Sequence, residues 1–174
     1  MYWLTQRYFR IKTNDRINTL ILIFQSPIVA FLLAILFEKL TLQTLFMMLI
    51  ASVWLGTSNA AREIVSETPI YRRERMFNLR LIPYIVSKLL VINLFSLFQV
   101  LLMVGIIQLT VGLSDYWAHV ALLFLISFTG TLLGLFLSSI ADNADKVMSM
   151  VPLVLLPQIM LAGVIQRINP RTNG

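Results

Sequence analysis

Residues 54–88 read WLGTSNAAREIVSETPIYRRERMFNLRLIPYIVSK, a charged segment set between two long apolar runs. The segment holds six of the fourteen Lys and Arg residues and three of the eight Asp and Glu residues. Asn59, Arg62, Glu63 and Glu67 follow the first apolar run with no Gly or Pro between them, so the preceding helix is predicted to continue into the charged stretch. Thr68 and Pro69 then restart the backbone. A Thr cap with Pro at the first helical position opens a new helix, because that Pro lacks an N–H that would have gone unpaired anyway. A short helix over residues 70–75 is therefore predicted, with Ile70 and Tyr71 beside Arg72, Arg73, Glu74 and Arg75, and with Met76 and Phe77 following. Such a helix is too charged to enter lipid and too apolar to favour water alone, which suits docking on another protein at the membrane surface.

Working outward, composition sets the class. A chain of 174 residues that is 58% hydrophobic and 13% charged, with mean hydropathy +0.82, has too little polar surface to close around a soluble core. The predicted fold class is all-α, a polytopic membrane helix bundle. With no Cys, neither a disulfide framework nor a thiolate metal site can form. The net charge of +6 does not point to nucleic acid, because the basic residues lie in blocks between apolar runs, as membrane topology alone produces.

Five spans are predicted: residues 17–37 with a bend at Pro27, 40–61, 81 or 83–110, 116–140, and 147–168 with Pro152 and Pro157. Residues 1–16 form an interfacial helix on which Trp3, Leu4, Tyr8 and Ile11 share an arc, with Arg7 inside it and Arg10 and Lys12 beside it. A basic tail that only sets topology is the alternative reading. Lys88, about one turn inside the cytosolic end of its span, can snorkel toward the cytosol. Lys and Arg number four in the N-terminal segment and six in the central loop, so the positive-inside rule puts both in the cytosol. The odd span count then puts the C-terminus outside, where its two basic residues suggest an incomplete chain.

NAAREIVSETPIYRRER (residues 59–75) followed by PYIVSKLL (83–90) resembles the membrane domain of G-type, drug-resistance-like ABC exporters of the ABC-2 class, especially bacterial ones. PLVLLPQIMLAGVI (152–165) is similar to the fifth helix of that family. The resemblance implies an elbow helix over 1–16, a permease domain over 17–168 with a cytosolic coupling loop over 62–80, and a tail over 169–174 that is a truncated external segment. It implies a multi-pass protein of the plasma membrane, the bacterial inner membrane in particular, with its N-terminus cytosolic. The function implied is ATP-driven export of a drug, lipid or other amphipathic substrate, with permease domains paired as a homo- or heterodimer. Ile70, Tyr71, Arg72, Arg73, Glu74 and Arg75 would seat in a groove of an ABC ATPase. Asn59, Arg62, Glu63 and Glu67 would form a polar network at the cytosolic end of helix two, with Arg7, Arg10 or Arg16 as partners. Two departures stand out: the family's sixth helix and its fused nucleotide-binding domain are both missing. No G-x-x-x-x-G-K-[ST] loop occurs, so ATP and Mg would be held by the ATPase partner and this chain carries no cofactor and no catalytic residue. The chain is either a permease served by a separate ATPase or a piece of a longer half-transporter. The rival reading is an integral-membrane scaffold or assembly factor that works without an ATPase.

Gly130, Gly134 and Ser138 make a small-residue stripe at four-residue spacing, a close-packing face for another helix of this chain or for a second subunit. Asn93 and Gln99 are expected to hydrogen-bond across helices, and Gln158 is the candidate pathway residue, since the family lines its path with helices two and five. Asp142, Asn143 and Asp145 offer two carboxylates beside Lys146, too few ligands for a Mg²⁺ or Ca²⁺ site, and read as a solvated turn. His119 is the sole histidine, so no His-based zinc site or triad can assemble.

Overall fold

A computed structural model describes residues 16–37, 39–67, 81–113 and 115–167, together with Gln6, Arg10, Lys12 and Asn14. Among the described residues every regular element is helical: α1 (Arg16–Leu36), α2 (Leu42–Ala60), a 3₁₀ turn (Val65–Glu67), α3 (Leu81–Thr110), α4 (Tyr116–Ile140) and α5 (Ala144–Arg167). Three of them contain stretches long and apolar enough to cross a membrane, Thr19–Leu36, Tyr84–Thr110 and Tyr116–Ile140. α2 has 19 residues and carries Thr57, Ser58 and Asn59 in its last turns, which lowers its apolar content. Gln6, Arg10, Lys12 and Asn14 are helical. The arc of Trp3, Leu4, Tyr8 and Ile11, the predicted docking helix over 70–75 and the tail from 168 lie outside the described residues.

The helix ends follow local chemistry. α2 starts two residues later than its apolar pattern predicts, because Thr41 and Thr44 form a reciprocal capping box, each side-chain oxygen accepting the other's backbone N–H at 3.3 Å. α5 starts at Ala144, three residues earlier than predicted: the Asn143 side chain accepts the Lys146 N–H at 2.9 Å, so Asp145 and Lys146 are helical. Lys146 also pairs with Asp142 at 2.9 Å on the exposed surface. α3 closes with the N–H groups of Val111 and Gly112 both on the Ile107 carbonyl, at 2.8 and 3.3 Å. Gly112 has φ 74 with nothing near its missing Cβ, so backbone handedness rather than space calls for glycine there.

The expectation that α2 runs on through the charged stretch is overturned. The helix stops at Ala60, and residues 61–64 form a turn before the 3₁₀ segment. Glu63 N–H bonds back only three residues, to Ala60 O at 3.1 Å, while the N–H groups of Ile64 and Val65 leave the helix and donate to Ser138 Oγ on α4, each at 3.0 Å. A side chain from another helix has taken the donors that continuation would need.

α2 packs most closely on α4, α1 lies along α3, and α3 also meets α4. Lipid offers no hydrophobic drive for helices to associate, so close van der Waals contact must supply it. Gly56, Gly130 and Gly134 provide that contact. A Cβ at Gly56 would stand 2.1 Å from Ser127 O, one at Gly130 would stand 2.4 Å from Val53 O, and one at Gly134 would stand 2.4 Å from Thr57 O. The stripe of Gly130, Gly134 and Ser138 thus faces α2 of the same chain. Its counterpart, Gly56 with Ala60, has the same four-residue spacing and was legible as such. Outward, Leu20, Phe24, Ile28, Phe31 and Ile35 form an exposed stripe on α1, and α5 leaves Leu153, Leu156 and Met160 uncovered.

Candidate functional site: the charged joint at the end of helix α2

Two polar clusters stand one above the other beneath and within the bundle. The upper one lies at membrane depth. Asn59 is 4% exposed and Gln99 1%. Asn59 Nδ2 donates to Gln99 Oε1 at 2.5 Å and to Ser96 Oγ at 3.2 Å, Gln99 Nε2 donates to Leu22 O at 2.6 Å, and Ser26 Oγ donates to Gln99 O at 2.5 Å. These bonds tie α1, α2 and α3 together beside Pro27, whose missing N–H leaves the Ile23 carbonyl without its helical donor. Gln99 bonds across helices as its sequence position predicts. Asn93 does not: its Nδ2 donates to Leu89 O of its own helix at 2.8 Å, and its Oδ1 has no partner among the described residues.

The lower cluster centres on Glu63, in the turn that ends α2. Its carboxylate pairs with Lys12, ahead of α1, and lies 3.9 Å from Lys88 Nζ near the start of α3. Lys88 Nζ also donates to the Glu63 carbonyl oxygen and lies 5.1 Å from the Tyr84 ring centroid, within cation–π range. The side chains of Lys12 and Lys88 are 7% and 2% exposed, that of Glu63 13%. The Lys88 side chain is therefore buried against protein groups instead of reaching water. An opposite charge and an aromatic face are within reach, and pairing with them replaces the path to water.

Of the residues expected to share a network at this end, Glu63 occupies the centre, Arg62 is exposed, and Asn59 belongs to the upper cluster. The side chains of Glu67, Arg7 and Arg16, and all of Ile70, Tyr71, Arg72, Arg73, Glu74 and Arg75, lie outside the described residues. The pairing with Lys12 and Lys88 was missed because sequence alone does not tell a buried cation from a topological one. The available signal was that Lys88 sits inside an apolar span, where charge is expensive unless paired. Gln158 is exposed on α5, with Pro157 and Ile159 exposed beside it.

A family model described as ABC-2 type transporter matches residues 1–170. The chain belongs to that family. It is an ABC-2 transporter membrane domain, a transmembrane permease component, and members of this family generally partner with an ABC ATPase. No curated protein and no solved structure matches the chain. In an ABC-2 membrane domain the Glu63 cluster ties three separate stretches of sequence, the pre-α1 segment, the end of α2 and the start of α3, at the base of the charged loop.

Proposed function

We propose that this permease component works in an ATP-driven ABC-2 exporter of drugs, lipids or other amphipathic compounds, and that residues 62–80 receive the closure of a separate or fused ABC ATPase that holds ATP and Mg. Two permease domains pair in the plasma membrane, with five spans each and the N-terminus in the cytosol. Export follows a path past Gln158. The observation that carries this reading is the Glu63 cluster. A carboxylate at the root of the charged loop is paired with Lys12 and Lys88 from two other segments, so the turn from which the loop departs is tied to the bundle. A loop that served only topology would need its charges solvated and would need no such tie. Family membership over nearly the whole chain supports the same reading.

Co-purification tests it. Wild-type protein solubilised from its native membrane brings down an ABC ATPase, and Tyr71→Ala with Arg73→Ala expresses and inserts normally but loses that ATPase and stops transport. Changing Asp142 and Asp145 to Ala on the other cytosolic turn leaves both unchanged. A stable complex without any ATPase would instead favour the scaffold reading.

A further inference from the structure

Ser138 is doing more than filling a gap between helices. Its hydroxyl oxygen accepts two successive backbone N–H groups, from Ile64 and Val65, each at 3.0 Å, and the residue is 1% exposed. In a continuing α-helix those two donors would bond to the carbonyls of Ala60 and Ala61. Ala60 O is instead taken by Glu63 N–H in a three-residue turn, and the chain tightens into the 3₁₀ segment Val65–Glu67. The change of winding delivers Val65 into a cluster with Ala61, Leu137, Val147, Val151 and Leu155. The ends of α2 and α4 and the beginning of α5 therefore meet at this one joint. Immediately above it, Gly134 brings α4 against Thr57, so the two helices cannot slide past each other without backbone collision.

We propose that Ser138 is a positioning residue for transport: by taking the Ile64 and Val65 amides it ends α2, sets the direction in which the charged loop leaves the membrane, and makes α4 and α5 follow that loop. The functional half of this inference rests on the reading of residues 62–80 as the ATPase-facing loop. Deleting the hydroxyl frees two donors, and the cheapest way to satisfy them is to rejoin the helix, which changes both the rise and the phase of every residue beyond Ala61.

The chain has no cysteine, so spin labels can be placed without first clearing native thiols. Labels at Ser66→Cys and Ser149→Cys, both exposed sites, report the distance from the loop root to α5 by pulsed electron resonance in the full transporter. Ser138→Ala should shift the mean distance by about 3–5 Å, the scale set by a change of one helical turn, or split the distribution. Ser138→Thr keeps the acceptor oxygen and should restore the wild-type distance. ATP turnover by the co-purified ATPase, measured in the same membranes, should fall several-fold in Ser138→Ala and recover in Ser138→Thr. An unchanged distance in Ser138→Ala, or the same shift in both variants, overturns the clamp. A shifted distance with unchanged turnover overturns its part in transport. If Tyr71→Ala with Arg73→Ala still binds the ATPase, the loop assignment fails by itself, whereas the distance response to Ser138→Ala stands or falls independently of it.

Discussion

Replacing Glu63 by Gln keeps the shape and the backbone carbonyl that Lys88 uses, and removes only the charge that two largely buried lysines share. At 3.9 Å the attraction of the carboxylate for Lys88 is about 4 kcal/mol gross at an effective dielectric of about 20. Removing one member of such a buried pair generally costs about 3–5 kcal/mol, because the remaining charge is left uncompensated. The amide oxygen and the retained carbonyl can still accept from Lys12 and Lys88, so the lower end, about 3 kcal/mol, is expected for Glu63→Gln. For a chain of this size about 1 kcal/mol moves the unfolding midpoint by about 2–4 °C, which puts the loss at about 6–12 °C. The assay is the apparent midpoint at which the detergent-solubilised protein loses its monodisperse elution peak on heating. Lys88→Met alone should lose less, since Glu63 keeps Lys12, and Glu63→Gln with Lys88→Met should recover part of the single Glu63→Gln loss, because one of the two lysines that share the carboxylate is gone. Strict additivity of the two changes, or a midpoint for Glu63→Gln within about 2 °C of wild type, would refute the coupling between these residues.

Gly56→Ala places a Cβ 2.1 Å from the Ser127 carbonyl, so α2 and α4 must part; a loss of about 1–3 kcal/mol is expected despite the better helix propensity of Ala, read as a lower heating midpoint, and a rise in midpoint would argue against the close crossing. Gln99→Leu leaves the Asn59 amide with Ser96 Oγ alone and takes the side-chain donor from Leu22 O, and should lower the midpoint by the equivalent of about 1–2 kcal/mol, whereas Asn93→Leu, which removes an Oδ1 with no partner among the described residues, should be neutral or stabilising; the reverse order would sink the assignment of the upper cluster. A thiol-reactive label that cannot cross membranes should reach a cysteine placed at Ser114 from outside intact cells and should miss one placed at Asn78, and labelling of Asn78 from outside would invert the orientation.

The helices themselves were legible because lipid demands long apolar runs and because Gly and Pro punctuate them. The ends of α1, α3 and α4 fall within a residue of their sequence patterns, and Gly112 marks the end of α3 for a reason that is local to the backbone. Thr41 with Thr44, and Asn143, are short-range capping signals that move the starts of α2 and α5 away from their apolar patterns. The charged loop carried the family resemblance and put Glu63 among four residues of a polar network, and the small-residue spacing on α4 announced a close crossing without naming its partner.

What sequence could not contain is which distant groups meet. Glu63 and Lys12 are far apart in the chain, as are Ser138 and Ile64, and no local periodicity encodes their encounter. Intrinsic preference favours continuing α2 through Arg62, Glu63 and Ile64, since nothing in that run breaks a helix. Packing α4 against Gly56 brings the Ser138 hydroxyl to the end of α2, and a buried acceptor offered to two amide donors outweighs the propensity of three or four residues. The meeting of α3 with the end of α2 decides whether Lys88 reaches water or Glu63. Sequence determined that the chain is a bundle of membrane helices with a charged loop on one side; tertiary contact decided where α2 stops and which charges are paired, because both depend on donors and acceptors supplied by other helices.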